Sequence, residues 1–157
     1  MRSTALLREK KQVDDLFNDI TTFANNPASD PYIVSLLTFH LCIRISGFVE
    51  NCIRIIFLEY AAIRTLDHVQ KFVNKRLERF PNPNISEIAK LTKDFNEIWW
   101  TNFNASITNK HRDSLHSINV NRNAIAHGGI SNITLRELSD YYNDIVELIE
   151  KLEDNCI

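Results

Sequence analysis

The chain has 157 residues, a length that suits one domain and lets it bury roughly 68–70% of the surface its unfolded form would expose, so no disulfide or metal is needed as a staple. Hydrophobic residues at 44% and charged residues at 24% exclude a disordered chain. The formal net charge of -2 excludes a globally basic nucleic-acid binder, so any such contact has to come from a local patch. Only 3 glycines and 4 prolines interrupt the sequence, which predicts long helices.

From Leu6 to Phe23 the apolar residues Leu6, Val13, Leu16, Phe17, Ile20 and Phe23 recur at three- and four-residue spacings, the stripe of a first helix. Asn25 to Ser29 break it, and Asp30-Pro31 reads as an N-cap with proline at the first helical position. A second helix, Pro31 to about Ile63, is apolar on nearly every side and belongs at the centre of a bundle. Thr65 is placed to cap a third, running to about Phe80, where Pro81-Asn82-Pro83 forces a turn. Asn84 and Glu87 have capping-box spacing and open a fourth through Trp99, Trp100 and Phe103. After a polar junction at Thr108 to Lys110, a fifth ends at Gly128-Gly129, and Thr134 with Glu137 opens the last. The expectation is an all-α, single-domain antiparallel bundle of five to six helices over residues 1–157.

Cys42 and Cys52 fall within one apparent helix, about 15 Å apart along its axis, too far for a disulfide. With Cys156 near the end of the chain, three free thiols point to a reducing, cytoplasmic setting. Met1 to Lys11 lack the apolar stretch of a signal peptide. The apolar region Leu36 to Ile63 is interrupted by His40, Arg44, Glu50, Asn51, Arg54 and Glu59, which reads as a core helix and not a membrane span. Charge is uneven: Arg64, Lys71, Lys75, Arg76 and Arg79 meet only Asp67 and Glu78, whereas the last helix is acidic. Lys71, Lys75, Arg76 and Arg79 are the candidate nucleic-acid contacts, against the plainer reading of a solvated face.

The informative segment is Asn121-Arg122-Asn123-Ala124-Ile125-Ala126-His127-Gly128. Arg122 shares a stripe with Ile118 and Ile125, so it points toward the apolar side and has to pair with an acid, snorkel to an edge or face a second subunit. His127 lies five residues on, about 140° round the helix and about 7.5 Å along it, so the two side chains do not converge within one regular helix. Asn123, four residues before His127, is placed to orient the imidazole. Arg112-Asp113-Ser114-Leu115-His116 mimics the arrangement with a shorter gap and no helix stop, and reads as a decoy. Trp99 and Trp100 are adjacent and point differently, one toward the core and the other toward an interface or a stacked base.

Arg122-Asn123-x-x-x-His127-Gly128 resembles the signature of the HEPN superfamily, and in particular RiboL-PSP-HEPN and similar prokaryotic proteins. The resemblance implies a metal-independent endoribonuclease without cofactor, homodimeric, with two motifs forming one cleft. Arg122 would bind the scissile phosphate and His127 would act as general acid or base during attack by the 2′-hydroxyl. Glu50 is the first choice as an acid holding Arg122, with Asn51 beside it. A toxin or phage-defence role, with an antitoxin or regulatory protein as partner, goes with that reading. The alternative is a non-catalytic HEPN module that dimerises and binds RNA, nucleotide or protein, and the plainest is a helical bundle in which Arg122 and His127 are an interface pair.

Overall fold

Ser3 opens the first helix, α1 (Thr4–Ala24), in a computed structural model that describes residues 1–78 and 80–156; its hydroxyl accepts the N–H groups of Ala5 and Leu6. Leu6, Val13 and Ile20, one heptad apart, bury α1 against α2 (Pro31–Arg64). Asp30 accepts the Tyr32 N–H at 2.8 Å and Pro31 takes the first helical position, as the sequence predicts.

At the far end of α2, Thr65 does the opposite of what its type suggests. Its hydroxyl and its backbone N–H both donate to the Ala61 carbonyl, at 2.8 and 2.9 Å, so it closes α2, and α3 (Asp67–Leu77) starts from Leu66 with no side-chain cap. The helix expected from Asn84 to Phe103 is two, α4 (Ile85–Phe95) and α5 (Glu97–Ser106). Asn96 divides them in an extended conformation (φ -164°, ψ 120°): its N–H reaches the Thr92 carbonyl at 2.8 Å and its side chain accepts the Ile98 N–H at 2.9 Å. One residue thus terminates a helix with its backbone and caps the next with its side chain. With α6 (Asn109–Ala126) and α7 (Leu135–Cys156) the described residues hold seven helices and no strand, one more than expected.

The apolar α2 is the spine, packed by α1, α3, α6 and α7, while α5 joins α4 to α7. Although α2 is long and apolar enough to cross a membrane by composition, Leu41, Ile45, Phe48, Cys52, Ile53 and Ile56 are buried in the bundle. Burial begins only at Thr38; in the first two turns Tyr32 (67% exposed), Ile33 and Leu36 (44%) have no neighbour to cover them. Phe57, Tyr60, Phe95 and Trp99 form an aromatic cluster, and Trp100 packs on Phe103, so both tryptophans are half-buried in the protein. Tyr142, buried on α7, donates to Asp14 at 2.8 Å and ties α7 to α1.

All three cysteines are buried and free, Cys156 included. Burial pushes the Cys42 thiol up to about 11 and that of Cys156 up to about 12, so neither is a ready nucleophile.

Candidate active site

Helix α6 carries two faces, and the motif divides between them. His111, Leu115 and Ile118 form its buried line, and Arg122 continues that line one turn further, where it emerges half-buried at the rim. His116, Val120, Asn123 and His127 lie on the opposite, exposed seam. The separation expected from the five-residue step is therefore real within one protomer.

The helix ends in a Schellman turn. Gly128 adopts φ +71° and its N–H reaches the Ile125 carbonyl at 3.3 Å, while the Gly129 N–H reaches that of Ala124 at 2.7 Å. A Cβ at Gly129 would stand 3.1 Å from the Ala124 oxygen, so glycine is favoured at both positions, at Gly128 by its dihedral and at Gly129 by the tight contact. The turn leaves His127 as the C-cap (φ -100°, ψ 13°), outside the regular helix and exposed.

That position alters the role expected of Asn123. Its backbone carbonyl accepts the His127 N–H at 3.1 Å, but its side-chain oxygen accepts from the Arg122 guanidinium at 3.3 Å. Among the described residues the His127 ring has no hydrogen-bond partner, the Asn123 side chain being turned to Arg122 instead. Arg122 pairs with no acid among the described residues, and Asn123 is its one hydrogen-bond acceptor there.

Glu50 does not hold Arg122. Its carboxylate accepts the Asn82 N–H at 2.7 Å, in a turn where Pro81 and Pro83 have no N–H and Asn82 takes a left-handed φ of 45°. Ser46 of α2 donates to the Asn82 side chain at 2.9 Å, and Asn119 of α6 donates to the Pro83 carbonyl at 3.2 Å. Glu50 thus supplies the acceptor for the one amide hydrogen between two prolines. Glu50→Ala is expected to cost about 1–3 kcal/mol in denaturant unfolding, with any loss of activity no greater than the loss of folded protein. Asn51, the second candidate, donates to Glu9 of α1 at 3.0 Å and is likewise structural.

The basic candidates lie elsewhere. Arg54 on α2 donates to Asn74 of α3 at 2.7 Å, whereas the Cys42 thiol, higher on α2, meets the Ile118 carbonyl at 3.9 Å, one turn before Arg122. By helical rise, Lys71, Lys75 and Arg76, all exposed, sit roughly 20 Å along the bundle from the motif. Phe72, between them, is 71% exposed. Arg79 lies outside the described residues. Among the described residues no three His, Cys, Asp or Glu side chains converge to hold a metal ion.

The other histidine of α6 is accounted for by the fold. His111 is buried; its Nδ1 accepts the Thr108 N–H at 3.0 Å, which leaves the proton on Nε2 to donate to Glu147 at 3.1 Å. The histidine therefore serves as the third residue of a capping box, a role that sequence spacing shows only if histidine is admitted beside Glu and Gln. In the decoy, Arg112 donates to Asn104 at 2.7 Å. A link that sequence spacing leaves unseen involves Asn121, whose side chain donates to the Ser117 carbonyl at 2.9 Å and accepts from Ser131 at 2.8 Å. It fastens the segment after the motif to the residue before Arg122.

No curated protein and no solved structure matches the chain. A family model described as RiboL-PSP-HEPN matches residues 4–157, close to the whole length, and the chain belongs to the RiboL-PSP-HEPN family.

Proposed function

We propose that the chain is an endoribonuclease that cleaves RNA without a metal ion, at a site completed by a second copy of itself. Membership of an HEPN family suggests a nuclease-type or RNA-related function, and such domains commonly dimerise and bind RNA. The observation that carries the finer reading is the state of the motif pair. Arg122, half-buried at the rim and meeting no carboxylate among the described residues, is paired with an exposed imidazole that nothing in the described protomer engages. A cation left uncompensated at a rim suits an anionic ligand such as a phosphodiester.

A dimer also resolves the geometry. Arg122 of one protomer and His127 of its partner can meet across a twofold axis although the two cannot meet within one helix. In that cleft one imidazole takes the proton of the 2′-hydroxyl, the 2′-oxygen attacks phosphorus, and the bond to the 5′-oxygen breaks as that oxygen is protonated. Arg122 neutralises the charge that builds on the non-bridging oxygens. The products are a 2′,3′-cyclic phosphate and a 5′-hydroxyl, and DNA is not cut because it lacks the nucleophile. The test is incubation with mixed RNA in excess EDTA and chemical analysis of the ends. Cyclic phosphate ends support the reading, and RNA binding without cleavage would replace it with a non-catalytic RNA-binding module.

We place Lys71, Lys75 and Arg76, with Phe72 between them, on the path of a longer RNA. A stacked strand covers roughly 20 Å in about six nucleotides. Replacing Lys71, Lys75 and Arg76 by alanine is expected to weaken binding of 12-nucleotide RNA by about tenfold or more while leaving four-nucleotide RNA unaffected, measured by fluorescence anisotropy at one fixed salt concentration. A toxin or phage-defence role, with a protein partner that restrains the activity, belongs to the same proposal.

A further inference from the structure

The helices α3 and α4 follow one another in the chain, yet α3 packs on α2 and α4 packs on α5, and a groove of about 390 Å³ is left between the two. Val69, Phe72, Val73 and Leu77 line it from α3, Leu91 and Phe95 from α4. Leu66, Val69, Val73 and Leu77 recur at three- and four-residue steps, so they form one stripe along α3. Leu66, 69% exposed, carries the apolar surface past the start of that helix, and Phe72 stands exposed at the lip.

An apolar groove open to water marks a surface that gains from being covered. Its shape narrows the choice of cover. Both walls are helices, whose main-chain groups are bonded within themselves, so no edge is offered to an added strand. The α3 wall spans 11 residues, about 16 Å, which a further helix of about three turns matches in length. Such a helix, apolar at positions i, i+3 or i+4, and i+7, fills a groove of this kind with one face.

The rim sets the charge of the occupant. Arg76 of α3 and Asp94 of α4 line the groove from opposite walls, and among the described residues no ion pair joins them. Both also line a smaller recess of about 160 Å³ that continues the groove between Lys90 and Glu87. Lys71 and Lys75, on either side of Phe72 in the chain, are exposed beside the α3 wall. Cations therefore outnumber carboxylates around the groove, and an incoming helix gains by carrying Glu or Asp on the flanks of its apolar stripe. An anionic lipid surface is disfavoured, since it would have to cover Asp94 and Glu87 without being able to enter the space between two helices.

We propose that the groove between α3 and α4 docks an amphipathic helix of a partner protein, apolar on the side that enters and acidic on its flanks. A helix seated there covers Arg76 and places carboxylates beside Lys71 and Lys75, so partner and longer RNA exclude one another. The docking stands on the groove alone, whereas its effect on RNA rests on the RNA reading of those three side chains.

The test uses three fluorescent helical peptides of about 15 residues. One has a leucine stripe flanked by glutamates, the second the same stripe flanked by lysines, and the third the residues of the first with the stripe scrambled. By anisotropy the first is expected to bind about tenfold or more tighter than either of the others. Val69→Asp and Phe72→Ser, both at exposed positions and so compatible with the fold, should each weaken it by about tenfold or more. Arg76→Glu should reverse the preference between the glutamate and lysine peptides. At saturation the glutamate peptide should also weaken binding of a 12-nucleotide 2′-O-methyl RNA, which cannot be cut, by about tenfold while sparing a four-nucleotide one. Equal binding of the three peptides, or binding that survives both groove variants, would overturn the docking site. So would failure of the glutamate peptide to bind, whether the groove proves to hold a second copy, seen as a dimer that Phe72→Ser dissociates in sedimentation, or a membrane, seen as Phe72-dependent binding to phosphatidylserine vesicles. Groove-dependent binding of the glutamate peptide that leaves the longer RNA bound would keep the docking site and overturn the RNA path along α3.

Discussion

His127→Ala is expected to lower RNA cleavage in excess EDTA by about 100-fold or more, the usual contribution of a positioned acid or base. Arg122→Ala is expected to do the same through lost stabilisation of the pentavalent phosphorane. His127 is exposed and Arg122, half-buried at the rim, bonds only to the exposed Asn123 among the described residues, so neither holds the core together and thermal unfolding should shift little. The decisive result comes from dimers that carry both changes. In the proposed dimer, co-expressed Arg122→Ala and His127→Ala chains would pair so that one protomer keeps its histidine and the other its arginine. If the working pair spans the interface, each mixed dimer retains one intact pair, and random assembly returns about a quarter of the original activity. If the pair worked within one chain, the mixture would be as inactive as either variant alone.

The sequence made the helices legible where local chemistry and packing agreed. Asp30-Pro31, Asn84 with Glu87 and Thr134 with Glu137 all open helices as their types predict, because a cap is a local hydrogen bond that needs no partner from elsewhere. Thr65 and Asn96 show the limit of that rule. Both are cap-forming residues, but whether such a side chain closes the helix behind it or opens the one ahead depends on where the chain must turn to pack, which three or four residues do not encode. Asn96 does both, and so one expected helix became two.

The site divides along the same line. The opposed positions of Arg122 and His127 follow from helical geometry and were readable, and so was the glycine stop. The partners of Glu50 were not, since they belong to the Asn82 turn, 32 residues away, and its demand arises from two prolines that remove the neighbouring N–H groups. Nor was the Asn121–Ser131 bond, which ties the segment after the motif back to α6.

A charge on the exposed seam of α6 should separate assembly from folding. Val120 stands one turn before Asn123 and shares the seam of His127; it is 52% exposed, and Ile130, just past the motif, is 89% exposed. Tyr32, Ile33 and Leu36 leave the start of α2 similarly uncovered at the same end of the bundle. Apolar side chains gathered around an Arg/His pair that meets no carboxylate among the described residues suit the face on which two copies meet. Val120→Glu replaces one half-exposed side chain by a better helix former, so the monomer should lose no more than about 0.5 kcal/mol of stability. In the dimer, however, two carboxylates would be carried to the interface close to the twofold axis, desolvated and mutually repelling, at a cost of several kcal/mol. The expected result is a monomer by sedimentation at concentrations where the original chain is dimeric. Cleavage should fall by about 100-fold or more although Arg122 and His127 are untouched, since at several kcal/mol every 1.4 is a factor of ten in assembly. A dimeric, fully active Val120→Glu protein would mean that the copies meet on another face and that the seam of His127 stays open to solvent.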